Sequence, residues 1–247
     1  MITVHHLENS RSQRVLWLLE ELGLAYEVKR YARDPETQLA PAELRRVHPL
    51  GKSPVISEGD ITVAESGAIV EYLLDTHGGA NVGANSGATS GTTSGTTSGT
   101  DGSPALRPAA GTSERRRFTY WLHFAEGSAM PVLLMKLVFD KVRNAPVPFF
   151  IRPVVRLVAD NVGKAFINPN LKSQLDFMEA ELATRPWFAG PDFSAADIQM
   201  SFVLEAAAGR AGLDASRPHL VDWLARIHAR PAYKKALEVG GPYSMAG

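Results

Sequence analysis

Cysteine is absent from the 247-residue chain, which removes disulfides, thiolate metal sites and any mechanism whose nucleophile is the protein's own thiol. Sulfur chemistry would have to use a sulfur that a ligand brings. Excess charge is absent too. Lys plus Arg number 26 and Asp plus Glu number 26, leaving no surplus to neutralise the phosphates of nucleic acid or an anionic membrane. No apolar run is long enough to cross a bilayer; the longest, Met130 to Phe139, is interrupted by Pro131 and Lys136. The opening residues, MITVHHLENS, lack a cationic start followed by an apolar stretch. A cytoplasmic protein with no membrane span and no nucleic-acid partner is expected. The seven histidines lack metal-ligand spacing, and His5 and His6, adjacent on a strand, would face opposite ways. No metal is expected.

What is present reads as a folded, water-soluble chain, with 45% hydrophobic and 21% charged residues. Its clearest boundary is compositional. Between Gly83 and Ser103, Gly, Thr and Ser occupy 17 of 21 positions, too little apolar surface to offset the entropy of ordering the segment. Residues 79–111 are therefore expected to form a flexible linker between domains at 1–78 and 112–247.

In the first domain the pattern predicts β-α-β-α-β-β-α. Strands fall at Ile2–Leu7, Tyr26–Tyr31, Val55–Ser57 and Ile61–Ala64. Helices fall after a Ser10 or Ser12 cap, at Pro41–Val47 and at Ser66 to about Thr76, with Gly23 stopping the first. The second domain reads as almost wholly helical. Its segments are a helix capped by Ser113 that Pro131 bends or breaks, then Val132–Val142, Ile151–Val162, Leu171–Ala183, Ala196–Gly209 and Leu220–Ala229. Ser194-Ala195-Ala196-Asp197 has the form of a capping box, which assigns Asp197 to folding rather than catalysis.

The stretch most suggestive of chemistry is His48-Pro49-Leu50-Gly51-Lys52-Ser53-Pro54-Val55, followed by Glu65-Ser66-Gly67. A cis bond before Pro54 would turn the main chain of Ser53 outward, leaving an edge able to bond an extended peptide. Ser66, opening a helix, could hold a carboxylate with its hydroxyl and the helix dipole. Lys52 and Glu65 add one charge of each sign, which suits a zwitterion. Proline before a strand and serine at an N-cap are also ordinary punctuation of a fold.

Taken with Ser10-Arg11, Val15-Leu16-Trp17-Leu18-Leu19, Ala64-Glu65-Ser66-Gly67 and Glu126-Gly127-Ser128, these motifs resemble the soluble glutathione transferases, most closely their fungal and bacterial branch. The resemblance spans both halves of the chain and fails only in the long linker. It implies a thioredoxin-like N-terminal domain followed by an all-helical C-terminal domain, a homodimer, and glutathione as co-substrate. The implied activity is conjugation of its thiolate to a small hydrophobic electrophile, or reduction of a peroxide. It places glutathione contacts on Lys52, the main chain of Ser53 before Pro54, Glu65 (γ-glutamyl amino group) and Ser66 (its carboxylate).

For activation of the thiol, the loop Glu8-Asn9-Ser10-Arg11-Ser12 contains neither the Tyr nor the Cys of many relatives. Ser10 is the favoured activator, with Arg11 and Asn9 as supporting or rival groups and a simple helix cap as the alternative role of Ser10. By analogy Tyr120, His123 and Phe124 line the electrophile pocket, although an aromatic stripe at helical spacing is commonly core. Arg115-Arg116-Arg117 reads as a solvated helix face. The missing Tyr and Cys leave a second reading open, a non-catalytic glutathione- or ligand-binding scaffold.

Overall fold

The computed structural model describes residues 1–78, 105–241 and 243–244. At the N-terminus, β1 (Ile2–Leu7), α1 (Ser12–Glu21), β2 (Tyr26–Tyr31), the short α2 (Leu44–Val47), β3 (Val55–Glu58), β4 (Ile61–Ala64) and α3 (Ser66–His77) follow the expected order. The sheet runs β2-β1-β3-β4, with β2 parallel to β1 and the other pairs antiparallel. This is a thioredoxin-like domain. β1 is buried along almost its whole length because it is a central strand, and Val4 lies between Val28 and Ile56 on its neighbours.

α1 is buried from Ser12 to Leu19, more completely than one apolar stripe requires, because it packs against α3 and the sheet on one side and the helical domain on the other. Gly23 ends it with φ +64°, a conformation that favours glycine.

The second domain consists of α4 (Ser113–Phe124), α5 (Met130–Arg143), α6 (Arg152–Val162), α7 (Asn168–Thr184), α8 (Ala195–Arg210), α9 (Pro218–Ala229) and α10 (Pro231–Gly240). A π-helical turn at Ala125–Ala129 joins α4 to α5, and a second at Gly163–Ile167 joins α6 to α7. Each lies just before a proline, Pro131 or Pro169, whose ring and missing N–H disrupt bonding to the carbonyl four residues earlier. Pro131 thus widens the helix rather than breaking it. The continuous run Ser113–Arg143 is long and apolar enough to cross a membrane by length and composition alone; one third of its apolar window is buried, and α4 packs on α8.

The structure corrects one expected cap and adds one helix. Thr112, not Ser113, caps α4, its hydroxyl accepting from the Arg115 N–H at 3.1 Å. The helix α10 lies beyond the segments expected from the sequence; Pro231 occupies its first turn, where a missing N–H costs nothing. α10 then docks on α1, with Gln13 Nε2 donating to the Ala236 carbonyl at 2.7 Å and Trp17 edge-on to Tyr233. Most of the expected linker, residues 79–104, lies outside the described residues. Of its remaining end, Leu106 is buried and its carbonyl accepts from Ala195 at 2.8 Å, while Arg107 pairs with Asp75 of α3.

The capping motif behaves as a folding element. Asp197 is fully buried and accepts from the Ser194 N–H, Ser194 Oγ, Phe188 N–H and Trp223 Nε1, all at 3.0–3.1 Å. Through Trp223, α9 is thereby tied to the start of α8.

Candidate functional site

A cleft of about 200 Å³ opens where the two domains meet, lined by Arg11, His48, Leu50, Lys52, Ser53, Pro54, Ala64, Glu65, Ser66 and Glu126. All five residues carried over as glutathione contacts or their neighbours, Lys52, Ser53, Pro54, Glu65 and Ser66, are brought together here. Each is positioned by a different local cause. The Ser53-Pro54 peptide is cis, and the Ser53 hydroxyl donates to the His5 carbonyl at 3.0 Å, fixing the segment to β1. Glu65 sits at the N-cap of α3 with φ +72°, an unusual conformation for a residue with a side chain, of the kind that persists where the surroundings demand it. Ser66 opens α3 and is buried.

Behind the cleft lies a charge cluster that the sequence reading missed. Arg14, one helical turn beyond Ser10, is 2% exposed. It donates to Ser66 Oγ at 2.9 Å, to the Gln199 carbonyl of α8, and to Glu126 Oε1. The same Glu126 oxygen accepts from Arg11 Nε at 3.0 Å. Because Arg14 occupies an acceptor site on the Ser66 oxygen, the Ser66 hydroxyl hydrogen remains free to donate to an acceptor. Burial alone would raise the Glu126 carboxyl, but Arg14 and then Arg11 outweigh it and hold the group below its ordinary value. Burial lowers the Arg14 guanidinium, opposed chiefly by Glu126. Its Nε is buried with no hydrogen-bond partner among the described residues.

Glu126 reaches this position from the π turn before α5, where the altered helical register re-aims side chains. Its motif, Glu126-Gly127-Ser128, was noted in the sequence as part of the resemblance. No spacing rule would have paired it with Arg14, 112 residues earlier.

The activating loop is arranged differently from the expectation. Arg11 lines the cleft, and its guanidinium also lies over the Phe202 ring at 5.1 Å. Ser10 does not line it. Its hydroxyl faces inward, 2.7 Å from Ser12 Oγ and 3.4 Å from Ser53 Oγ, and accepts from the Ser12 N–H at 3.2 Å. Ser10 therefore serves the first turn of α1. Asn9 has φ +49° and its side-chain oxygen accepts from the Ser244 N–H at 2.8 Å, which ties the C-terminal segment to the loop.

Tyr120, His123 and Phe124 are not brought to the cleft. Tyr120 and Phe124 stack on each other and against Phe177 of α7, within a groove and aromatic cluster on another side of α4. His123 is exposed. From this segment it is Glu126, in the π turn, that lines the cleft. Arg117 pairs with Glu181, and Arg115 lies near Phe118. His5 and His6 are each hydrogen-bonded within the core, to Tyr31 and Ser57 and to Ser12 respectively. Among the described residues, no three His, Cys, Asp or Glu side chains gather where they could hold a metal.

A thioredoxin-like domain joined to a helical domain, with a cis-proline ledge and a helix opened by Ser66 facing their junction, defines the glutathione-transferase class of architecture. Family models agree. The glutathione S-transferase N-terminal domain matches residues 1–75 and the C-terminal domain residues 167–231. The chain is 32% identical to glutathione S-transferase 3 of Schizosaccharomyces pombe, over 96% of this chain and 87% of that protein. It is 31% identical to glutathione S-transferase 1 of Saccharomyces cerevisiae, over 96% and 94%. A crystal structure of a glutathione S-transferase from Actinobacillus pleuropneumoniae superposes with a TM-score of 0.72 at 29% identity, covering 100% of this chain and 96% of that one. The chain belongs to the glutathione S-transferase family, and it is a glutathione transferase with glutathione as co-substrate.

Proposed function

We propose that the cleft binds glutathione in an extended form and that Arg11 stabilises its thiolate for attack on a small hydrophobic electrophile. The observation that carries this reading is the Arg11–Glu126–Arg14–Ser66 cluster, in which one carboxylate fixes the Arg11 guanidinium in the cleft lining and the buried Arg14 guanidinium behind Ser66, beside an outward-turned main-chain edge. The Ser53 main chain pairs with the peptide backbone. Ser66, aided by the N-terminus of α3 and backed by Arg14, takes the γ-glutamyl carboxylate, and Glu65 takes the ammonium. Lys52 takes the second carboxylate.

Arg11, Arg14 and Lys52 exceed Glu65 and Glu126 by one positive charge, complementary to a ligand that carries one net negative charge before its thiol ionises. Lowering a thiol from about 8.5 by two units requires about 2.7 kcal/mol, within the range of a guanidinium held at the mouth of a partly desolvated cleft. The chemical step is then nucleophilic attack by the bound sulfur on an electrophilic centre, with loss of the leaving group. The protein contributes position and thiolate stabilisation.

The same thiolate could reduce a peroxide, and the inward hydroxyl of Ser10 favours testing the non-catalytic binding reading in the same experiment. Glutathione binding by calorimetry is measured with conjugation of a chlorodinitrobenzene-type substrate and with peroxide reduction, for wild type and Ser66→Ala. The expected result is turnover by wild type and a 10–100-fold weaker glutathione affinity in Ser66→Ala, the loss of one charge-assisted hydrogen bond. Binding without rate enhancement would favour the scaffold reading, and absence of binding would overturn both. We further propose that the enzyme works as a cytoplasmic homodimer, which sedimentation of the purified chain would test.

A further inference from the structure

Whole-chain neutrality conceals a strong local asymmetry. From Lys141 to Ala159 the sequence contains Lys141, Arg143, Arg152 and Arg156 and no acidic residue. This stretch forms the end of α5, the connection to α6 and most of α6. At its apex Phe149 and Phe150 are 79% and 66% exposed, edge-to-face with one another, and Val154, Leu157 and Val158 continue an exposed apolar face along α6. Exposed single hydrophobic residues are ordinary, but a contiguous apolar crest of this kind marks a surface that something covers.

Beside the crest is a cavity of about 210 Å³ lined by Arg143, Arg152 and Arg156 together with Asn144, Ala145, Pro146, Val147 and Val155. No carboxylate lines it. Of the three arginines only Arg143 has a carboxylate partner among the described residues, Asp160, while Arg152 Nε donates to the Val147 carbonyl and so braces the connection.

We infer that the α5–α6 tip docks on an anionic lipid surface, with Phe149 and Phe150 entering the boundary between headgroups and acyl chains and the three-arginine cavity receiving a lipid phosphate. The juxtaposition decides the occupant. A second copy of a neutral chain supplies no general reason for an acid-free basic cavity next to an aromatic crest, whereas an anionic bilayer presents negative phosphates immediately above an apolar layer. The amphipathic α6, with its apolar exposed face bordered by Arg152 and Arg156, has the composition of a helix that lies in such an interface.

The test is flotation of the full-length protein with vesicles of phosphatidylcholine alone and of phosphatidylcholine containing phosphatidylserine, at low and high salt. The variants are Phe149→Ser/Phe150→Ser and Arg152→Gln/Arg156→Gln, both at exposed or rim positions outside the glutathione cleft. Wild type is expected to float with the anionic vesicles and to be released by salt. The arginine pair should lower the partition coefficient about fivefold per residue, and the phenylalanine pair should abolish flotation, with conjugation activity unchanged in both variants. Failure of wild type to bind anionic vesicles, or equal binding to neutral ones with no loss in the arginine variant, would overturn the inference. So would a phenylalanine variant that changes the oligomeric size of the protein while vesicle binding is absent, since a second copy would then be the occupant.

Discussion

Asp197 and Glu126 are both carboxylates withdrawn from bulk water in the helical domain, yet they are satisfied in opposite ways. Asp197 has only neutral donors around it, two backbone N–H groups, a serine hydroxyl and an indole. Burial pushes its carboxyl above the ordinary value despite them. Glu126 is held between two arginines, and its carboxyl is pushed below. A carboxylate surrounded by neutral donors from its own domain fastens elements together. One that balances guanidiniums contributed by the other domain sets the charge at a site where a ligand arrives.

The sharpest way to break this contrast is Asp197→Ala. It would strand buried donors at Phe188 and Trp223 and is expected to cost about 3 kcal/mol or more, about 6–12 °C in melting temperature. Activity per folded molecule should be retained. Calorimetric melting combined with kinetics on the folded fraction checks this; unchanged stability, or a specific loss of glutathione affinity, would erase the distinction.

A smaller loss of stability and a larger loss of function are expected from Glu126→Gln, since Arg11 and Arg14 would keep their hydrogen-bonding geometry but lose their counter-charge. Glutathione affinity and the pH profile of kcat/KM should both move while the melting temperature falls less than in Asp197→Ala. Equal effects on stability from the two substitutions would contradict the comparison.

The two sites should also differ in the sign of their pH dependence. Glu126 is depressed in the folded state, so its contribution is fully present above about pH 4.5, the ordinary value, and is lost as pH falls through the folded value. The stability gap between wild type and Glu126→Gln should narrow in that direction. Asp197 is raised, so the gap between wild type and Asp197→Asn should widen as pH falls towards 3.8. Thermal melts carried from neutral pH to well below the ordinary carboxyl value of 4.5 would show the two gaps diverging, and parallel movement would reject the assigned shifts.

The same contrast explains what could be read from the sequence. Asp197 belongs to a four-residue local motif, so its role was legible. So were β1, β2 and β4, whose β-rich composition and bounding turn residues match the observed bounds, and the Lys52-Ser53-Pro54 and Glu65-Ser66 elements, each a continuous motif even though Ser53 and Ser66 are fixed by the distant His5 and Arg14. The Arg14–Glu126 pair was not, because it depends on how two domains meet and on a π turn that periodicity does not encode. Ser10 was favoured as an activator from its position in the loop. Its hydroxyl accepts from the N–H of Ser12 and is not among the groups that line the cleft, a local capping bond of the kind that sequence position alone does not reveal. Tyr120 and Phe124 share a helix face, as their spacing predicts, but the face packs on Phe177. The helix α10 lay beyond the expected segments, and Pro231 begins it, because proline is hostile to helix interiors and welcome in first turns. The overall charge balance likewise said nothing about how charge is distributed, and the acid-free α5–α6 tip emerges only when sequence and placement are combined.

The role assigned to Arg11 is tested most directly by titrating the thiol of bound glutathione, followed by the ultraviolet absorbance of the thiolate, in wild type and in Arg11→Met. In wild type the bound thiol should ionise about two units below the free value of about 8.5. In Arg11→Met most of that shift should disappear while glutathione still binds. A wild-type thiol that titrates like free glutathione, or a full shift that survives without Arg11, would contradict the account.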